Sequence, residues 1–132
     1  MEKRKTVLIV DDDEIILKTF TRILTRSGYN TENAASGEQA MLKLLERNYD
    51  AAIVDVRLPD ENGVELLARM PATAANMVKI IITGFPTIEN HRAAERNGAD
   101  AYVEKPVDPE KLLRIVAEKM EEKERRTSSL AI

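Results

Sequence analysis

Apolar positions along this chain fall into two alternating rhythms. Thr6 to Val10 (Thr-Val-Leu-Ile-Val) is a continuous, mostly β-branched run that stops at Asp11-Asp12-Asp13-Glu14. Such a run suits a strand buried on both faces and ending in acids. From Ile15 onward the apolar positions Ile15, Ile16, Phe20, Ile23 and Leu24 follow helical spacing, with Gly28 as a stop and Asp12 or Asp13 placed to cap the start. Tyr29 to Ala34 reads as a weaker strand nearer an edge. Ser36-Gly-Glu-Gln39 then fits a capping box, with Gln39 reaching back, ahead of a helix with Ala40, Met41, Leu44 and Leu45 on one face. Ala51 to Val54 is a third apolar run and ends on Asp55; Pro59 and Gly63 bracket the polar segment beyond it.

A short helix is expected over Val64 to Met70, closed by Pro71, and Ala72 to Met77 reads as loop. Val78 to Ile82 is another buried-strand run, ending on Thr83-Gly84. The helix after it, roughly Pro86 to Asn97, has few large apolar residues, chiefly Ile88 with Ala93 and Ala94, and should pack loosely. Ala99 to Val103 is a fifth strand, stopped by Glu104-Lys105-Pro106. Asp108-Pro109 is a cap followed by proline at the first helical position, and the last helix runs through Leu112, Leu113, Val116 and Met120. Strands alternating with helices in this way imply right-handed βαβ units: an α/β fold with a doubly wound, five-stranded parallel sheet and five helices in a single domain. Residues 1–121 make that domain; 122–132 lack apolar periodicity and read as a helix end with a flexible tail or the start of a linker.

Composition narrows the function classes. The 132 residues, 43% hydrophobic and 33% charged, suffice for one domain with a core. A net charge of -3 with both signs interspersed leaves no basic stripe, so direct nucleic-acid binding is not expected. Without cysteine there is no disulfide or thiolate metal site. No apolar run approaches the ~20 residues of a membrane span, and the first residues lead into a strand rather than a signal peptide, so a cytoplasmic location is expected.

A parallel sheet brings its strands' carboxyl ends together, where ligands bind in open α/β folds. Those ends read Asp11-Asp12, Asp55, Thr83 and Lys105. Carboxylates ~5 Å apart repel by roughly 3 kcal/mol per pair at an effective dielectric near 20. Three such pairs rival the ~5 to 15 kcal/mol net stability of a domain. The cluster therefore calls for a counter-charge or bound protons. Lys105 supplies one positive charge, and a divalent cation would supply the rest; all-oxygen ligands select Mg²⁺ or Mn²⁺. Mg²⁺ keeps open positions for water and phosphate oxygens, and Asp is a covalent phosphoryl acceptor, which points to phosphoryl transfer assisted by a metal, a lysine and the Thr83 hydroxyl.

On these residues, about Lys5 to Met120 resembles a receiver domain of the two-component response regulators, similar to single-domain chemotaxis regulators. The resemblance implies a flavodoxin-like strand order 2-1-3-4-5 and phosphorylation of Asp55 by a sensor histidine kinase, followed by autodephosphorylation. It further implies that Asp12, Asp55 and the backbone carbonyl of Arg57 ligate Mg²⁺ (or Mn²⁺), with Asp11 acting mainly through metal-bound water. Thr83 and Lys105 would contact the phosphoryl oxygens, Tyr102 would be the aromatic residue coupled to Thr83 in a switch, and Lys105-Pro106 would be cis. Such a domain catalyses its own phosphorylation and dephosphorylation without being a turnover enzyme. Arg57 and Phe85 stand where side chains influence how fast the phosphoryl group is lost, and Glu61-Asn62 replaces a commoner apolar-Asp pair.

Simpler roles are expected elsewhere. Asp13 and Glu14 suit the start of a helix, His91 a solvated surface, and 118–126 a solvated helix face. Tyr102 alone would be a half-buried strand aromatic, and Lys105 alone a surface lysine. An alternative function is a Mg²⁺-dependent phosphatase of the haloacid-dehalogenase type, suggested by Asp11-Asp12-Asp13, though that chemistry usually needs a cap domain and a further acidic pair. A flavin carrier on the same fold would need a Gly/Ser/Thr-rich phosphate loop where this chain is acidic. Output is expected to reach a downstream protein through the face made by the fourth helix, fifth strand and fifth helix, with a homodimer on activation also open.

Overall fold

The computed structural model describes residues 3–130. Five strands, β1 (Thr6–Val10), β2 (Asn30–Ala34), β3 (Ala51–Asp55), β4 (Val78–Thr83) and β5 (Ala101–Glu104), alternate with helices. The helices are α1 (Glu14–Arg26), α2 (Gly37–Glu46), α3 (Gly63–Arg69), α4 (Ile88–Arg96) and α5 (Pro109–Leu130). All strand pairs are parallel, in the order β2-β1-β3-β4-β5. The order reverses direction between β1 and β3, so the carboxyl ends of these two strands, Asp11 and Asp55, flank the crevice.

Strand alternation divides the core into two layers. Val7, Ile9, Ala51, Ile53, Val78, Ile80 and Ile82 pack with Phe20 and Leu24 of α1 and Leu112, Val116 and Met120 of α5. Leu8, Val10, Ala52, Val54 and Ile81 pack with Ala40 and Leu44 of α2, Val64, Leu66 and Leu67 of α3, and Ala94 of α4. Because β1, β3 and β4 are covered on both sides, they need apolar residues at consecutive positions; each fully buried Val, Leu or Ile contributes roughly 1.5–3 kcal/mol.

Several expected boundaries move for local reasons. Asp13, rather than Asp12, caps α1 by accepting from the Ile15 and Ile16 N–H groups. Ser36 caps α2 as expected, but Gln39 reaches past it to accept from the Ala35 N–H. Thr87 caps α4 by accepting from the Asn90 N–H, which leaves Pro86 outside the helix. Ala72–Ala74 forms a single 3-10 turn within the expected loop. Ile15 and Leu45, placed by spacing on packing faces, are exposed; on α4, expected to pack loosely, Ile88 is exposed and Ala94 is the buried residue.

Helix α5 continues to Leu130, beyond the expected fraying at Glu121. Ion pairs hold its later turns: Lys123 and Arg126 to Asp100 at 3.2 and 3.8 Å, and Glu124 to Lys5 at 2.6 Å. Asp100 also accepts from the Lys79 N–H, so one carboxylate joins β4 to the helix. Residues 131–132 of the expected tail lie outside the described residues.

Candidate functional site

The carboxyl ends of β1 and β3 place Asp11, Asp12 and Asp55 so that one carboxylate oxygen of each lies within 4.8 Å of the others. Asp11 and Asp55 are buried and Asp12 is exposed, which gives the cluster a wet side. From the end of β5, Lys105 reaches in to pair with Asp11 at 3.1 Å and Asp55 at 3.4 Å. The peptide between Lys105 and Pro106 is cis, as the resemblance implies. Thr83, at the end of β4, is buried and accepts from the Phe85 N–H at 3.0 Å. The expected residues of the four strand ends thus converge on one edge of the sheet.

Electrostatics within the cluster follow from burial. Desolvation pushes the Asp55 carboxyl above its ordinary value of 3.8, and the Asp11 charge pushes it further. Lys105 and the Arg57 N–H, which donates to Asp55, oppose both effects. Three carboxylates facing one ammonium form an acidic pocket of oxygen donors with unbalanced negative charge, which suits a hard divalent cation.

The loop after Asp55 is tightly built. Gly63 N–H donates to the Val56 carbonyl at 2.7 Å, and Arg57 bridges antiparallel to Asn62. Asn62 caps α3 by accepting from the Val64 N–H at 2.7 Å. A Cβ on Gly63 would overlap the backbone carbonyl oxygen of Asp55, so the loop can close against the strand only with glycine there. Above it, the Arg57 guanidinium lies over the Phe85 ring, 4.0 Å from its centroid.

Tyr102 does not contact Thr83 through any hydrogen bond. Its hydroxyl is the buried side-chain polar atom without a hydrogen-bond partner among the described residues. Its ring stacks on His91, centroids 4.7 Å apart and planes 5° from parallel. His91 is therefore exposed, as expected, but not free: it also pairs with Glu95 at 3.2 Å. Sequence spacing offered no sign of this contact, because the two residues belong to different elements.

Two further residues escape the sequence reading. Lys79, inside the apolar run of β4, is buried and donates to the Ala74 and Met77 carbonyls at 2.8 and 3.3 Å; burial and then Lys123 hold its ammonium below its ordinary value. A lysine within an otherwise apolar strand was the available signal. Asp60 accepts from the Gly37 and Glu38 N–H groups at the start of α2, more than twenty residues away, and has no local signal.

Comparison with known proteins agrees with this geometry. A response regulator receiver domain model matches residues 7–117. The alginate biosynthesis transcriptional regulatory protein AlgB of Pseudomonas aeruginosa is 35% identical over 120 residues, covering 91% of this chain and 27% of AlgB. A cyclic di-GMP phosphodiesterase of Thermotoga maritima is 37% identical over 110 residues, covering 83% of this chain and 29% of that protein. The chain thus spans under a third of the length of these two relatives. A CheY-like response regulator receiver domain protein from Methanospirillum hungatei superposes with a TM-score of 0.91 at 39% identity, covering 94% of this chain and 99% of that one. Nothing in the fold or the comparisons favours the haloacid-dehalogenase alternative. With the family model spanning most of its length and the strand-end constellation in place, this chain belongs to the response regulator receiver domain family.

Proposed function

We propose that Asp55 is the phosphoacceptor of this receiver and that a sensor histidine kinase is its donor. A carboxylate oxygen of Asp55 attacks the phosphorus of a phosphohistidine, the phosphorus–nitrogen bond breaks, and the departing imidazole takes a proton. Water later attacks the acyl phosphate, releasing inorganic phosphate and restoring the carboxylate. The observation that carries this reading is the pocket itself, with Asp55 buried beside Asp11 and Lys105 within 3.4 Å.

Asp11, Asp12, Asp55 and the backbone carbonyl of Arg57 would hold Mg²⁺ or Mn²⁺. When bound, the ion neutralises charge on the phosphoryl oxygens. Lys105, already paired with Asp55, has only to exchange that carboxylate oxygen for a phosphoryl oxygen. The Thr83 hydroxyl accepts from Phe85, which leaves its proton for a phosphoryl oxygen. A hollow of about 440 Å³, lined by Ile16, Thr19, Phe20, Lys105, Pro106 and Val107, adjoins Lys105 and supports approach of the kinase from the α1 side.

Residues 1–121 act as the receiver unit in this reading, in the cytoplasm. The α4–β5–α5 face carries the output to a downstream protein or a second copy. Support for this face comes from α4, which buries only Ala94 and leaves Ile88 72% exposed. Tyr102, with its unpaired hydroxyl, is the residue through which a change at Thr83 reaches α4.

The test is incorporation of labelled phosphoryl group from a small phosphodonor in Mg²⁺. Wild type should label, Asp55→Asn should not, and chelation should suppress the reaction. Labelling of Asp55→Asn at the wild-type level would overturn the assignment.

A further inference from the structure

We infer that Asp60 is a positioning residue for the metal-binding loop, joining the segment after Asp55 to the first turn of α2. The inference rests on the metal-binding reading above. It starts from the free N–H groups that every helix leaves at its amino end. In α2 the Gln39 N–H donates to the Ser36 hydroxyl at 3.1 Å, and the Ala40 N–H to the Ser36 carbonyl at 3.1 Å. The two remaining first-turn donors, Gly37 and Glu38, go to the two oxygens of Asp60 at 2.9 and 3.0 Å. Two of the three first-turn N–H groups that lack an intrahelical backbone acceptor, Gly37 and Glu38 but not Gln39, are therefore satisfied from another loop.

That loop is the one carrying Arg57, and little play lies between the two residues. The Leu58 N–H donates to the Glu61 carbonyl at 3.2 Å, and Arg57 bridges to Asn62, so 57–62 closes on itself. Glu61, next to Asp60, pairs with Arg69 of α3 and lies against Gly37, where a Cβ would collide with its carboxylate. The loop is thus held at its carboxyl end by Gly63 against Asp55 and near its tip by Asp60 against α2. Hydrogen bonds from the two amides keep the Asp60 carboxyl below its ordinary value, so it is an anion at the positive end of the helix at neutral pH. Asp60 touches no reacting group. Its action is to restrict where the Arg57 carbonyl sits.

Outer contacts that orient metal ligands commonly change affinity when lost, and coupling between two sites is reciprocal. Loss of Asp60 should therefore weaken divalent-cation binding, and cation binding should protect the α2 amides. Mn²⁺ binding would be followed by electron paramagnetic resonance on wild type, Asp60→Ala, Asp60→Asn and Ser36→Ala. Asp60→Ala is expected to weaken Mn²⁺ by about 10-fold, the low end for loss of an outer contact, and Asp60→Asn by less, because its amide oxygen still accepts one bond. Ser36→Ala, which loosens α2 without touching the loop, should stay within about 2-fold. Amide exchange read in Mg²⁺ should slow at Gly37 and Glu38 in wild type and not in Asp60→Ala. Unchanged Mn²⁺ affinity in Asp60→Ala, or equal weakening in Ser36→Ala, overturns the role of Asp60 and leaves the metal site standing. Wild type that binds no Mn²⁺ overturns both.

Discussion

Replacing Asp55 by Asn should stabilise the metal-free protein. Asp55 is 7% exposed, its oxygen and those of Asp11 and Asp12 lie within 4.8 Å, and its compensating partner Lys105 is 3.4 Å away. At an effective dielectric near 20, two repulsions of about 3.5 kcal/mol set against one attraction of about 5 leave a gross deficit of about 2 kcal/mol. Solvent around Asp12 reduces this to about 1 kcal/mol. Asparagine keeps the shape and an acceptor for the Arg57 N–H while removing the charge. In urea with chelator at pH 7, Asp55→Asn should shift the unfolding midpoint upward by about 0.5 M.

The pH dependence provides a second check with a definite sign. Because the folded chain raises Asp55 above 3.8, it binds more protons than the unfolded chain from that value up to the raised one. Stability due to Asp55 therefore falls as pH rises through this window and is level above it. Asp55→Asn lacks the fall, so its advantage should open across the window and then hold. Mg²⁺ at ten times its dissociation constant should restore about 1.4 kcal/mol to wild type and less to the variant. A variant less stable than wild type in chelator, or an advantage that does not change with pH, would refute the reasoning.

Two other substitutions test the frame around the site. Gly63→Ala sets a methyl against the Asp55 carbonyl oxygen, whereas Gly37→Ala meets only the movable Glu61 side chain. Denaturant titration should show a loss of about 3 kcal/mol for the first and about 1 for the second, and the reverse order would contradict the clash. His91→Ala removes the ring that stacks on Tyr102, worth about 0.5–1.5 kcal/mol, from a helix that buries little else. Amide exchange across α4 should quicken by about 2- to 10-fold and be restored by His91→Phe; unchanged exchange would remove the stack from the account of α4.

Much of this protein was legible in the chain because its signals are local and periodic. Continuous apolar runs identify β1, β3 and β4 as strands covered on both faces, and the acids and Thr83 at their ends, with Lys105 at the end of β5, identify the edge that carries the candidate site. Asp108-Pro109 and Ser36 marked helix starts for the same reason, since caps act within one turn. Spacing failed where burial depends on what lies opposite: Ile15 and Leu45 have helical spacing but stay exposed. It failed also at α5, whose polar later turns are held by Asp100 and Lys5 from distant positions rather than by apolar periodicity.

What the sequence determined by itself is the set of groups at Asp55: three acids, a hydroxyl and a lysine, each at a strand end. Only the tertiary structure decided their surroundings. It set Lys105 between Asp11 and Asp55, laid Arg57 on Phe85, stacked His91 on Tyr102 and turned Asp60 toward α2. Each of these contacts joins two elements through side chains, and no period within a single element encodes which side chain of another it will meet.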